Sequence, residues 1–239
     1  MSPGPAGGRG PDGDHGRHGI RVAIDGPAAS GKSTTARAVA ERLGYAHLNS
    51  GLLYRAITWV GLEGGWVDAG PEEFARRVGE LDLELRRRNG EFVVEVADRR
   101  PGGELTTRAV SRRVSDVAAR EPARTRALEE LREAGRRGGV VCDGRDIGTV
   151  VFPDAELKVY LVATAEERAR RRLLDYDETP TEERIAAEAE RLRARDEKDA
   201  SRELAPLRKP DDAVEIDTTD LRPGEVVDRI VDLARERGA

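Results

Sequence analysis

Near the start of the chain, Ile20, Val22 and Ile24 alternate with smaller or polar residues. A period of two predicts a buried or half-buried strand. A Gly-rich turn comes next. Ala36, Val39, Ala40 and Leu43 then fall at i, i+3, i+4 and i+7, the apolar face of a helix. Gly44 stands where such a helix wants a left-handed residue to end on. Strand, Gly-rich loop and helix in this order open an α/β domain with a parallel sheet.

Residues 81–96 follow a different rule. Leu81, Leu83 and Leu85 alternate, Asn89-Gly90 intervenes, and Phe92, Val94 and Val96 alternate again. Asn-Gly between two such runs predicts a hairpin. A two-residue loop pairs Arg88 with Glu91, Leu85 with Val94 and Leu83 with Val96, so both apolar sets share one face. An antiparallel hairpin inside an α/β chain predicts an inserted lobe. Parallel strands are expected again at Val140 to Cys142, at Leu157 to Val162 and, more weakly, at Ala213 to Ile216. About 50 charged, helix-patterned residues separate the last two, with a break near Asp175 to Pro180.

Composition narrows the classes. The chain has 239 residues, enough for one domain with a real core or one core with inserted lobes. Residues 1–19 hold seven Gly and three Pro, which predicts a disordered tail, with His15 and His18 in it. Only His47 remains in the body, and Cys142 is the sole cysteine. An intrachain disulfide is therefore impossible, and a Ser-His-Asp hydrolase or a multi-His or Cys-based metal site is disfavoured. No run approaches the ~20 apolar residues of a spanning helix, and the N-terminus lacks the apolar stretch of a signal peptide. A net charge of −5 speaks against bulk binding of a nucleic-acid polymer. A cytoplasmic protein is expected, monomeric because no long exposed apolar stripe is visible.

The first loop carries the clearest chemistry. Gly26-Pro27-Ala28-Ala29-Ser30-Gly31-Lys32-Ser33, followed by Thr34, fits GxxxxGK[ST] between a strand and a helix. Its glycines let successive backbone N–H groups turn inward onto phosphate oxygens, and the helix N-terminus adds partial positive charge. Lys32 then reaches the β and γ phosphates of a nucleoside triphosphate, and the Ser33 hydroxyl is the candidate ligand for Mg²⁺. The loop alone does not separate kinase, GTPase, motor and binding switch. No Asn-Lys-x-Asp element for guanine is present, nor an apolar strand ending in Asp-Glu.

Two further segments suit a second substrate. In His47-Leu-Asn49-Ser50-Gly51-Leu-Leu-Tyr54-Arg55, Ser50 is a candidate N-cap with Tyr54 and Arg55 in the first turns. Taken alone this reads equally as a capped helix with a surface arginine. In Asp143-Gly144-Arg145-Asp146-Ile147-Gly148-Thr149, an apolar strand runs into two carboxylates flanking an arginine, at the strand end where open α/β sheets bind ligands. A surface ion pair in a turn is the alternative there.

Together, GPAASGKST, LNSGLLYRA and DGRDIGTVVFPDA resemble the bacterial cytidylate kinases in order and spacing, from about Ile20 to the C-terminus. DGRDxGTVVFPDA is specific among nucleoside monophosphate kinases; the phosphate loop marks only the superfamily. The resemblance implies a P-loop kinase core with a parallel sheet, an inserted antiparallel lobe over about 75–120 for the monophosphate, and a helical lid over about 165–195. It implies transfer of a phosphoryl group from ATP, with Mg²⁺, to CMP or dCMP. Ser50, Tyr54 and Arg55 match the monophosphate-side motif. Ser115 and Arg124 match cytosine contacts in the lobe. Arg145 matches a phosphate-binding arginine and Asp146 a cytosine-reading carboxylate. Arg195, Asp199 and Arg202 match sugar and phosphate contacts. Arg171, with Arg168 and Arg172 beside it, resembles the lid arginines that close over ATP. Lys32, Arg145, Arg171 and Arg202 are thus the expected catalytic set. Two positions depart from the family: Asn49 stands where members usually carry Asp, and Thr106 where they usually carry Arg.

The residue types suit the task. Cytosine offers an amino donor and two acceptors, so a carboxylate can accept from N4 while Arg or Ser donates to N3 or O2. Arg195, Asp199 and Arg202 at i, i+4 and i+7 would share one face of a continuous helix, although in a chain 36% charged such a face also fits a solvated ion-pair ladder. A kinase of the same class with another small acceptor, and a nucleotide-binding regulator without catalysis, are the remaining readings at this level. The adenine site is expected near Thr218 and Thr219.

Overall fold

The computed structural model describes residues 19–239, so the expected tail, with His15 and His18, lies outside the described residues apart from Gly19. Among the described residues seven strands and eight α-helices follow one another. They are β1 (Arg21–Asp25), α1 (Lys32–Leu43), β2 (Ala46–Asn49), α2 (Gly51–Glu63), α3 (Pro71–Gly79), β3 (Leu83–Arg88), β4 (Glu91–Val96), α4 (Arg108–Ala118), α5 (Glu121–Gly135), β5 (Val140–Gly144), β6 (Leu157–Val162), α6 (Ala165–Leu174), α7 (Glu182–Ala200), β7 (Val214–Asp217) and α8 (Pro223–Glu236). The strands form one sheet in the order β3-β4-β2-β5-β1-β6-β7, parallel except between β3 and β4.

Alternation along the central strands sorts side chains to two faces. Val22, Ile24, Val141, Leu157, Val159 and Leu161 join α1 and α8 in one buried cluster. Ala23, Leu48, Val140 and Cys142 face the other way, against α2 to α5. The expected hairpin forms in the expected register, Arg88 opposite Glu91, Leu85 opposite Val94 and Leu83 opposite Val96. Asn89 and Gly90 supply the two positive φ angles, 49° and 81°, that a tight hairpin turn needs. Its outer strand is the sheet edge, and β4 joins β2 at His47 and Glu91, so the hairpin extends the main sheet.

The strand β2 has no counterpart among the elements predicted from periodicity. It is four residues long and carries a buried histidine. Helix α1 ends as expected, with Gly44 at φ 69°. Helices α6 and α7 flank the predicted break. Helix α7 stops at Ala200, so Arg202 lies beyond it rather than on its face.

Candidate active site

The phosphate loop curls at the carboxyl end of β1. Gly26 has φ 147°, and a Cβ there would stand 2.1 Å from the Leu161 carbonyl oxygen, so no larger residue fits. Lys32 is buried and donates to the Pro27 carbonyl at 2.5 Å and to Ser30 Oγ at 3.3 Å. Burial, reinforced by the Arg145 guanidinium, holds its ammonium well below the usual lysine range, while Asp143, Asp25 and Asp196 pull the other way. An anion in the loop would restore the charge that burial disfavours. The loop is clamped from outside by Asp196, which accepts from the Ala28 N–H at 3.1 Å and pairs with buried Arg168.

Behind the loop lies a polar chain. Ser33 Oγ donates to Asp143 Oδ2 at 2.6 Å, Asp143 Oδ1 meets His47 Nε2 at 2.8 Å, and Asn49 Nδ2 donates to Ser33 Oγ at 3.0 Å. Asn49 Oδ1 accepts from the Gly51 N–H at 2.9 Å. That bond displaces Ser50 from the capping role expected of it. Ser50 Oγ turns instead to the Asp143 carbonyl at 2.9 Å, packed against Gly144, where a Cβ would clash with it at 2.4 Å.

A cavity of about 240 Å³ opens between the loop and α2, α4, α7 and the end of β5. Ser50, Tyr54, Arg55, Ser115, Arg124, Arg145, Asp146, Arg195, Asp199 and Arg202 all line it, with Ala28, Ala29, Gly31, Lys32, Ser33 and Thr34 from the other side. Gly26, Pro27 and Ser30 shape the loop without facing this cavity. Seven cationic side chains and four carboxylates line it, an excess suited to an anionic ligand. Asp146 pairs with Arg124, Arg145 Nε donates to Asp199 Oδ2 at 3.2 Å, and Arg202 pairs with the same carboxylate. Arg55 donates to the Leu105 carbonyl at 2.8 Å and to Ser111 Oγ at 3.2 Å. The Nε atoms of Arg195 and Arg202 are buried with no partner among the described residues. Burial, with Arg145 close by, lowers Arg195 to about 10. Burial also raises Asp146, against the pull of Arg124, Arg202 and Arg145.

Arg171 lies elsewhere. It pairs with Glu167 and donates to Thr218 Oγ1 at 3.0 Å and the Thr218 carbonyl at 2.6 Å. It lines a second cavity of about 530 Å³ with Gly31, Thr34, Thr218 and Thr219. Of the three neighbouring arginines in α6, Arg172 is the one that reaches the central cavity.

Asp25, His47, Asp143 and Asp196 are the site's polar residues that no expected role covers. For Asp143 a signal existed, a carboxylate at the end of an apolar strand. For Asp196 and His47 there is none, since Asp196 meets partners 28 and 168 residues away in sequence and His47 one 96 away.

The profile of the cytidylate kinase family matches residues 22–236. The cytidylate kinase of Geobacter sulfurreducens is 42% identical over 226 residues, 93% of this chain and 95% of that protein. That of Bacillus cereus is 39% identical over 214 residues, 90% of this chain and 95% of its own length. A bifunctional pantoate ligase/cytidylate kinase of Synechococcus elongatus is 42% identical over 224 residues, which span 91% of this chain and 42% of the longer protein. A phosphate loop facing an arginine-lined cavity, and a match that runs through both, agree: the chain belongs to the cytidylate kinase family.

Proposed function

We propose that the protein transfers the γ-phosphoryl group of ATP to CMP or dCMP, giving ADP and CDP or dCDP. The observation that carries this is the single cavity in which the phosphate loop faces Ser115, Arg124, Arg145 and Asp146. Two anionic substrates must meet there, so the protein's task is alignment and charge neutralisation. In this reading Lys32 leaves its loop contacts for the β and γ phosphates. Arg55, Arg145, Arg195 and Arg202 hold the acceptor phosphate, and the unpartnered Nε atoms of the last two are donors already desolvated for it. Asp146 accepts from cytosine N4, and Arg124 and Ser115 donate to its ring acceptors. The second ionisation of the acceptor phosphate lies near pH ~6, so no strong general base is required. Arg171, beside Thr218, would serve the donor nucleotide.

Mg²⁺ fits the donors present: Ser33 Oγ is a hard oxygen ligand, and Asp143 orients it. Among the described residues no cluster of three or more His, Cys, Asp or Glu side chains could hold a metal alone, so the ion would depend on phosphate oxygens and water for the rest of its shell. When bound, it neutralises charge on the transferred phosphoryl group. We assign about 75–120 as the acceptor lobe and about 165–195 as the lid that excludes water. The test is Asp146→Asn. Its CMP to UMP ratio in kcat/KM should fall by about tenfold or more, since an unpaired buried group costs ~1–3 kcal/mol. An unchanged ratio would remove Asp146 from base recognition.

A further inference from the structure

We infer that Asp25 is a positioning residue that ties the acceptor-binding segment Arg145-Asp146 to the donor phosphate loop. Residues Ile147–Val151 form a single π-helical turn directly after Asp146, with Val151 and Phe152 N–H donating to the Asp146 and Ile147 carbonyls. As at any helix start, the first N–H groups have no partner within the turn. Asp25 satisfies the first two: Oδ1 accepts from Ile147 N–H at 2.8 Å and Oδ2 from Gly148 N–H at 2.7 Å. The carboxylate is 1% exposed and forms no ion pair among the described residues, so these two bonds are its compensation for leaving water.

Its place in the chain gives the contact its meaning. Asp25 is the last residue of β1, and the next residue, Gly26, starts the phosphate loop. Ile147 follows Asp146 directly. One side chain therefore spans from the donor loop to the segment that would read cytosine and the acceptor phosphate, 122 residues on. A purely packing role would be met by an apolar residue at this buried site, as at Ile24 and Ala23 beside it. A bidentate carboxylate instead fixes the two N–H groups and so the aim of the side chains just before them.

The groups around Asp25 are Lys32 from α1, Asp146 from the turn, Tyr160 from β6 and Cys142 from β5. Burial raises Asp25 to about 6 while the Gly148 and Ile147 N–H groups hold it down, and Asp146 and Lys32 act in opposite directions. Protonation takes away one acceptor oxygen, so the tie loosens as pH falls through about 6.

The proposal rests on the acceptor site described above, and its test separates the two. In the native protein, the ¹H–¹⁵N resonances of Ile147 and Gly148 should titrate together between pH 5 and 7, whatever the acceptor nucleotide. In Asp25→Asn, calorimetry should show CMP binding weakened by about tenfold and Mg-ADP binding changed by less than about threefold, at pH 7.5. Amides of 147 and 148 that neither titrate nor shift in Asp25→Asn overturn the proposal even if CMP is the substrate. So does equal weakening of both nucleotides, or unchanged CMP affinity. Titrating amides without CMP binding in the native protein would keep the tie and reject the substrate.

Discussion

The sheet side of the site and the α6–α7 side are built from different forces. The phosphate loop and the Arg145-Asp146 segment follow directly on β1 and β5, strands sealed between two large apolar clusters. The α6–α7 side packs on a cluster of four buried residues, Ala28, Ala169, Ala189 and Leu192. Ion pairs supply much of the rest: Arg168 with Asp196, Arg193 with Glu166, and Arg145 with Asp199 across to the loop after β5. Apolar burial is indifferent to ligand charge, whereas arginines that share carboxylates can exchange them for phosphates. The sheet side can hold geometry; the α6–α7 side can respond to substrate. That division suits a kinase that must align two nucleotides and then exclude water.

Arg145→Ala should lower kcat/KM for CMP about a thousandfold, ~4 kcal/mol of transition-state stabilisation. It should move the melting temperature little, because Asp199 keeps Arg202. Steady-state kinetics with a thermal melt checks both. Leu161→Ala, in the sheet core, should cost about 3 kcal/mol of global stability. Leu192→Ala, in the four-residue cluster, should cost less than half of that in denaturant unfolding and should instead speed amide exchange within α6 and α7. Equal global losses would mean that the two sides unfold as one unit.

Asp25 gives a third handle, on the sheet side. Its carboxyl is raised by burial from 3.8 to about 6. The folded state therefore binds the proton more tightly than the unfolded chain. This group contributes stability below pH 4 that is lost as pH rises through about 6, about 2–3 kcal/mol. Asp25→Asn should flatten the stability profile between pH 4 and 6 in urea melts at several pH values. The smallest effect is screening. Exposed pairs such as Arg193–Glu166 should contribute less than ~1 kcal/mol. Raising salt should then speed exchange modestly in α6 and α7 and leave β1 and β5 unchanged.

Local rules with a fixed partner a few residues away were legible in the sequence. The hairpin register followed from Asn89-Gly90 and two alternating runs, and α1 from its apolar face and Gly44. The ten acceptor-side residues named through the family resemblance converge on one cavity, since the motifs lie where strands and helices deliver their ends. What stayed hidden depends on long-range partners. Strand β2 is too short for periodicity. Ser50 is not a side-chain cap because its Oγ donates to the Asp143 carbonyl, while the Asn49 side chain takes the Gly51 N–H. Arg202 reaches Asp199 from beyond the end of α7, across three residues rather than along a helix face. Asp25 has no local signature at all; its partners are 122 and 123 residues away.

The most direct measurement is Mg-ATP-dependent ADP formation against CMP, dCMP, UMP, dTMP, AMP and GMP, with a control lacking acceptor. Strong turnover is expected with CMP and dCMP, weak turnover with UMP, and background rates with the others and the control. Turnover favouring another acceptor, or none at all in protein that binds ATP, would contradict the proposed function.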